Sequence, residues 1–516
     1  MVARVSTVAF QGVETLKIDV QVQAVSNRQS SILIVGLPDK TVEESRERLR
    51  SVFTHYGLSM PPKGIVVNLS PADVPKEGSH YDLPIALAIL AEMGVVDRDA
   101  LADYMAMGEL ALDGQLVATV GALPAGIAAM EHQVALICPE KSGQEASWSS
   151  HDRVIAGKDL MVVIGHLQGK ELIAPVVRKD INILAKKEFS DGRKIPDWDI
   201  IRGQDNAKRA MEVAAVGGHH VLLLGSPGAG KSLIAQAMAG ILPDMTARER
   251  LEASLIHSLA GTLPEGGIMV ERPYRDPHHS ASMPAVIGGG QKAKPGEISL
   301  AHSGVLFLDE MPEFHRSTLE SLRQPLETGR AVIARVNAHV SYSADFQMVA
   351  AMNPCKCGYL LDDKLKCSRA PRCGEEYRDR LSGPLLDRID IYLEMEAIKP
   401  QELVDKNIGE NTVTIKKRVE QAVRFSRSRF KKFGFSDKVK CNADLEGDDL
   451  ERAAPLDEEC KKLLTDSANK FHLSARAWFR TIRVARTIAD MGGSEDIKNH
   501  HLSESLKYRF RRRAQG

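Results

Sequence analysis

Apolar and polar positions follow two rhythms along the chain, and the balance between them shifts as the chain proceeds. In the first 180 residues short apolar runs such as SILIVG and GIVVNL predict strands. The stretch KTVEESRERLRSVFTHYGL predicts a helix in which Thr41 and Glu44 have capping-box spacing and Gly57 is placed to end it. Leu83 to Met93 (LPIALAILAEM) predicts a buried helix, so residues 1–180 read as an α/β domain. A charged stretch holding Gly and Pro, without sustained periodicity, predicts a linker at 181–199. From 200 to 398 four strand candidates, HVLLLG, GVLFLDE, FQMVAAMNP and DIYLEME, recur between helical stretches. They predict a parallel sheet covered by helices. Beyond Pro400 strand signals fade, and Ile415 to Phe430 and Ser474 to Met491 carry long helical patterns, so 399–516 is expected to be all helical.

Composition adds limits. A chain of 516 residues suggests about three domains at roughly 100–200 residues each. With 43% hydrophobic and 26% charged residues it belongs with soluble globular enzymes, not with disordered or collagenous chains. No apolar run approaches the roughly 18 residues of a membrane-spanning helix, and MVARVSTVAFQGVE lacks the apolar segment of a secretory signal. The expectation is a cytoplasmic protein with no membrane partner. Basic and acidic residues balance at 68 each, but from Asn411 onward 24 basic face 15 acidic residues. That asymmetry permits a polyanionic partner without demanding one.

The candidate chemistry begins at Gly225, Ser226, Pro227, Gly228, Ala229, Gly230, Lys231 and Ser232, which match G-x-x-x-x-G-K-[ST] between an apolar strand and a helical stretch. The glycines let backbone N–H groups close around phosphate oxygens, Lys231 reaches the β- and γ-phosphates, and Ser232 offers a hydroxyl to Mg²⁺; ATP is the expected cofactor. The strand GVLFLDE delivers Asp309 and Glu310 together at its carboxyl end, where α/β sheets bind ligands. Asp309 is expected to hold Mg²⁺ and Glu310 to polarise the attacking water. Four of seven cysteines, Cys355, Cys357, Cys367 and Cys373, form C-x-C-x9-C-x5-C within an insertion at 355–373. Their chemistry suits either a closed tetrahedral Zn²⁺ site or unligated thiols.

These motifs carry a resemblance. The phosphate loop, VLFLDE, Asn353 after FQMVAAMN, and SGPLLDRID resemble an AAA+ ATPase of the magnesium-chelatase-like branch, specifically the YifB/ComM family, and GQDNAKRAMEVAAVGG, PHHSASMPAVIGGG and RVARTIADM fit the same pattern. The resemblance extends to about residue 510. It implies an AAA+ core with a helical lid, Asn353 as sensor one, Arg388 as an arginine finger serving a neighbouring subunit, and Arg476 as sensor two. Arg480 and Arg483 share a helix face with Arg476 and remain open. The first domain resembles the ChlI-type domain, which shares its fold with the Lon protease domain. Aligning VPKEGSHYDLPIALA on the Lon pattern puts His80 at the nucleophile position and Pro124 at the lysine position, so a non-proteolytic module is expected, even if Ser79 is the misaligned serine. The family implies a hexameric, ATP-driven DNA helicase promoting branch migration, notably in natural transformation. Lys292, Lys294 and Arg335, with His339, are the candidate DNA contacts in two loops. A chelatase motor subunit, an ATP-dependent protease and a nucleotide-switched scaffold are the alternatives.

Overall fold

The computed structural model describes residues 2–25, 31–60, 63–184, 188–189, 191–290, 293–334, 339–360, 367, 369–398, 409–436 and 439–509. The chain divides into two compact units. One comprises Met1–Ala185, Arg250–Val270 and Val332–Tyr342; the other comprises Lys186–Glu249, Glu271–Ala331 and Ser343–Gly516.

The first unit is built on a seven-stranded mixed sheet in the order Ile32–Val35, Gly64–Ser70, Glu14–Val25, Ala3–Gln11, Tyr104–Ala106, Ala135–Pro139 and Val154–Gly157. Ala3–Gln11 and Glu14–Val25 form a long antiparallel hairpin from Ala3 opposite Val22 to Gln11 opposite Glu14. The expected buried helix runs Asp82–Glu92, and every residue from Asp82 to Ala91 is buried. The expected surface helix runs Lys40–His55, but its N-cap differs from the capping box placed at Thr41 and Glu44. Asp39 fills that position, its carboxylate accepting the Val42 N–H at 2.8 Å, because aspartate in extended backbone can receive the orphan donors of the first turn. Gly57 follows the helix in the left-handed region, φ +67°, as placed.

Residues 200–398 were expected as one core, and two of its segments belong instead with the first unit. Trp148 Nε1 donates to the Gly266 carbonyl at 2.7 Å, the Ser258 hydroxyl donates to buried Glu145, and Val340 packs where a side chain on Gly12 would stand. These contacts join residues far apart in sequence, so no local pattern announces them.

The second unit holds a five-stranded, all-parallel sheet in the order Tyr274–Arg275, Val305–Leu308, Gln347–Met352, Val221–Gly225 and Ile391–Met395. The four predicted strands are all present, and a two-residue strand, Tyr274–Arg275, extends one edge. The part of the expected linker within this unit is anchored in its core. Trp198 is fully buried, its indole N–H donating to Ala237 at 2.7 Å, and Phe189 packs on Tyr274 with centroids 4.7 Å apart. Helices Thr412–Phe433, Gly447–Ala453, Glu458–Phe471, Ala475–Met491 and Asn499–Lys507 make up the carboxyl-terminal part, with Asn411 and Ser474 as N-caps of the first and fourth. Val419, Val484 and Ile488 join the apolar core beside the sheet, while Phe430, Leu464, Ala485 and Leu502 form a core of their own. Among the described residues no helix is long and apolar enough to cross a membrane.

Candidate functional site

The parallel order sets Val221–Gly225 next to Gln347–Met352, which adjoins Val305–Leu308, so the loops leaving three neighbouring strands meet at one edge. Gly225 to Gly230 turn from strand to helix, and helix Lys231–Ile241 begins immediately after. Gly228 and Gly230 have φ of +79° and +87°, a left-handed backbone that a side chain would strain. Lys231 Nζ donates to the carbonyls of Gly225 and Ser226 at 2.7 and 3.0 Å and to Asn353 Oδ1 at 3.0 Å. Burial lowers the Lys231 ammonium below its ordinary range, opposed by the charges of Asp309 and Glu310.

Ser232 Oγ donates to Asp309 Oδ2 at 2.8 Å, while the Glu310 N–H donates to Asp309 Oδ1 at 2.9 Å. A hydroxyl and a carboxylate in direct contact are hard oxygen donors of the kind Mg²⁺ takes, so this pair fits that ion. Glu310 is half-exposed and has φ +49°. Pro227, Ala229 and Ser226 complete the loop, and the Ala229 carbonyl accepts from Gln204 Nε2 at 3.3 Å. Gln204 also donates to Glu396 at 2.7 Å, tying the loop to the chain just past strand Ile391–Met395; its positive φ at a non-glycine position is a signal that sequence alone does not display.

The arginines occupy a different setting. Arg388 is 7% exposed; it pairs with Glu327 and donates to the Pro384 carbonyl at 2.6 Å. Burial, and then the charges of Arg323, Arg476 and Arg480, lower it from its ordinary range. Arg476, exposed, pairs with Asp387 at 3.2 Å, one residue before Arg388. Arg480 lies deeper, donating to Asp390 Oδ1 at 2.5 Å and to the Arg388 carbonyl at 2.7 Å. Arg483 pairs with Glu446 at 3.2 Å. Thus the helix face shared by these arginines splits: Arg476 and Arg480 meet the Asp387 to Asp390 segment and Arg483 turns to Glu446. The acids Glu327 and Asp390 were not singled out in the sequence, where a lone carboxylate looks like any solvated one.

Cys355, Cys357, Cys367 and Cys373 converge so that their four sulfurs all lie within 4.8 Å of one another, with Cys355 and Cys357 at 3.1 Å. A tetrahedral Zn²⁺ with bonds of about 2.3 Å has sulfurs roughly 3.8 Å apart, so the donor set fits that ion. The cluster starts two residues beyond Asn353. Its turn also touches the phosphate loop, because a Cβ on Gly358 would stand 2.7 Å from Pro227.

Lys294 is exposed in a small ribbon in which Gly289 pairs with Lys294, whereas Lys292 and Arg335 lie outside the described residues. The strands flanking Arg335, Arg330–Ala334 and His339–Ser343, form the expected hairpin. In the first unit His80 is fully buried, its Nε2 2.9 Å from the Val8 carbonyl, and burial lowers it to about 4. Pro124 is buried in helix Ala122–Glu131, and Lys76 donates to the Pro71 carbonyl.

With this geometry in hand, three family profiles match in series: "Subunit ChlI of Mg-chelatase" over residues 20–142, "Magnesium chelatase, subunit ChlI" over 197–403, and "Magnesium chelatase, subunit ChlI C-terminal" over 409–509. Competence protein ComM of Haemophilus influenzae is 40% identical over 501 residues, covering 97% of this chain and 96% of its own length. YifB of Escherichia coli is 39% identical over 508 residues, covering 98% and 96%. The chain belongs to the YifB/ComM family of magnesium-chelatase-like proteins. The magnesium-chelatase 38 kDa subunit of Rhodobacter capsulatus is 28% identical over 179 residues, 31% of this chain and 51% of its own. The chain therefore has the AAA+-type ATPase architecture of this family, preceded by a ChlI-type domain.

Proposed function

We propose that the chain is an ATP-driven motor that assembles as a hexameric ring on DNA and promotes branch migration in recombination, in particular when DNA taken up by natural transformation is integrated. The observation that carries the ATPase reading is the meeting of Lys231, Asn353, Ser232, Asp309 and Glu310 at one sheet edge. In the proposed reaction water attacks the γ-phosphorus of ATP and gives its proton to Glu310. The bond from that phosphorus to the bridging oxygen breaks, and ADP and phosphate leave. Lys231 neutralises phosphate charge, and Asn353, held by Lys231, orients the water. Ser232 and Asp309 would hold Mg²⁺, which when bound offsets the charge of the phosphates. Arg388 reaches the nucleotide of a neighbouring subunit as the arginine finger, and Arg476, paired with Asp387, is the sensor-two arginine of the helical lid. Zn²⁺ on the four cysteines would be a structural clip, since protein sulfurs fill all four positions.

The DNA reading is supported by the competence protein among the relatives and by the excess of basic residues from Asn411 onward. Lys294, with Lys292 and Arg335, is proposed to track the phosphate backbone. The likeness to the chelatase subunit favours a second reading, a motor for metal insertion into a tetrapyrrole. A time course with labelled three- and four-strand junction DNA separates them, run beside porphyrin metallation and casein digestion. Junction movement and DNA-stimulated hydrolysis, both falling steeply with salt, support the DNA motor. Turnover indifferent to every DNA would reject it. Assembly is tested by mixing Arg388→Ala with Lys231→Ala subunits: hydrolysis returns where an intact phosphate loop meets an intact arginine, and a strict monomer with concentration-independent turnover would refute the ring.

A further inference from the structure

Helix Thr412–Phe433 has two unlike sides. Ile415, Val419, Ala422, Val423 and Phe430 are buried in the apolar cores of the second unit. The helix carries eight basic residues and one acidic residue, and three of the eight are engaged inside the fold: Lys416 with Asp244, Arg418 with Glu212 and Glu410, and buried Arg429 with Asp490. The other five, Lys417, Arg424, Arg427, Lys431 and Lys432, are exposed on the side away from the core, and only uncharged Gln421 and Ser428 are exposed between them.

The helix itself does not call for this row. Lys431 and Lys432 lie in the last turn, where cations suit the helix dipole. Arg424 and Arg427 lie in the interior, and the spacings from Arg424 to Arg427 and from Arg427 to Lys431 set like charges side by side, which weakens a helix. The one carboxylate of the helix, Glu420, stands 3.5 Å from Arg424, whose side chain is still 78% exposed. Lys432 is 3.9 Å from exposed Glu495, and among the described residues no ion pair engages Lys417, Arg427 or Lys431. At 1.5 Å per residue the row from Lys417 to Lys431 is about 21 Å long, the span of about six phosphates on one strand of a duplex.

We propose that this face grips the phosphate backbone of a double-stranded arm of the DNA substrate. An anionic membrane would need an apolar side to take in, and the apolar side of this helix is already in the core. Single strands are held on aromatic platforms set among the cations, and no aromatic residue is exposed from Lys417 to Lys432. The inference rests on the DNA reading above and adds a contact apart from the loops of Lys292, Lys294 and Arg335.

The experiment follows binding of a fluorescent duplex of about 20 base pairs, and of its single strand, to the full chain by anisotropy between about 50 and 200 mM salt. In the triple variant Lys417→Gln, Arg424→Gln, Arg427→Gln, three lost phosphate contacts should flatten the log–log salt slope for the duplex by about 2.7, so the affinity ratio between the two salt concentrations should shrink about fortyfold. Its melting temperature and its ATPase rate without DNA should match those of the wild type. Arg424→Lys with Arg427→Lys, which keeps the charges, should keep the slope. Lys461→Gln, Lys462→Gln and Lys470→Gln together remove the same charge from exposed positions of helix Glu458–Phe471 and should leave the slope close to that of the wild type. An unchanged slope in the triple variant, an equal flattening in the Glu458–Phe471 variant, or a wild type that binds single strands but not the duplex would each overturn the inference. So would a triple variant that no longer sediments as the wild type does, which would assign the row to a contact between subunits. A wild-type chain that binds neither form of DNA would instead overturn the DNA reading, and this inference with it.

Discussion

Replacing Arg480 by methionine tests whether the carboxyl-terminal helices and the Arg388 segment are held by one buried charge pair. Asp390 is 2% exposed and its strongest partner is Arg480 at 2.5 Å; His219 Nδ1 and the His220 N–H stand farther off, each at 3.4 Å. Burial pushes the Asp390 carboxyl up, but Arg480, and after it His219 and His220, pull it well below the usual carboxylate range. Removing one partner of a buried pair costs about 3–5 kcal/mol. The hydrogen bond from Arg480 to the Arg388 carbonyl, worth about 1 kcal/mol net, falls within that loss. Arg480→Met should therefore destabilise by about 3–5 kcal/mol. Asp390→Asn should do likewise for the opposite reason, leaving the guanidinium without its anion. The double variant removes both charges of the pair, so it should be more stable than the sum of the singles by about 2 kcal/mol. Urea unfolding followed by tryptophan fluorescence gives all three values. A coupling below about 0.5 kcal/mol would refute the reasoning. The pH dependence has a definite sign. The wild-type contribution from Asp390 is whole above the unfolded carboxylate value of about 3.9 and is lost as pH falls through its lower folded value. In Arg480→Met burial raises Asp390 instead, so the gap between the two proteins should narrow on acidification.

Three further outcomes are expected. Lys231→Ala should abolish ATP binding, whereas Glu310→Gln should keep it and hydrolyse about a hundredfold slower or worse; equal loss of affinity in equilibrium titrations would show the roles to be misassigned. Protein prepared without chelator should carry about one zinc per chain with thiolate bonds near 2.3 Å by X-ray absorption, an expectation defeated by zinc-free protein with four freely titrating thiols. His80, lowered to about 4 by burial against roughly 6.5 in the unfolded chain, stabilises fully above pH 6.5 and progressively less below it. The wild type should thus lose about 2 kcal/mol between pH 7 and 5 that His80→Gln does not lose, and parallel melting curves would contradict this.

Where apolar residues run consecutively, as in HVLLLG or GVLFLDE, the strand and its place in a parallel sheet were legible, because burial on both faces leaves no other pattern. The phosphate loop and the Asp309–Glu310 pair were legible for the same reason, since each is the exit from such a strand. Strand Tyr274–Arg275 was not, as two residues show no periodicity. Phe189 and Trp198 sit alone in a charged stretch, and only the apolar core they join distinguishes anchors from a linker. Asp39 outcompeted the capping box at Thr41 because one earlier residue already met the helix N-terminus. Cysteine spacing named a cluster but not its convergence, which depends on the turn at Cys357 and the helix that starts at Arg372. Nor does sequence show that Arg388 is turned onto Glu327, a contact between residues 61 positions apart.

The contact of Gly358 with Pro227 joins two kinds of chemistry. Cys357, the exposed sulfur, precedes Gly358, and Cys355 follows Asn353 by two residues, so the thiol loop rests against both the phosphate loop and the strand end that meets Lys231. A glycine at that junction leaves no side chain to absorb displacement. Alkylation at these sulfurs is therefore expected to be felt at the proposed phosphate loop, as weakened ATP binding in an equilibrium titration.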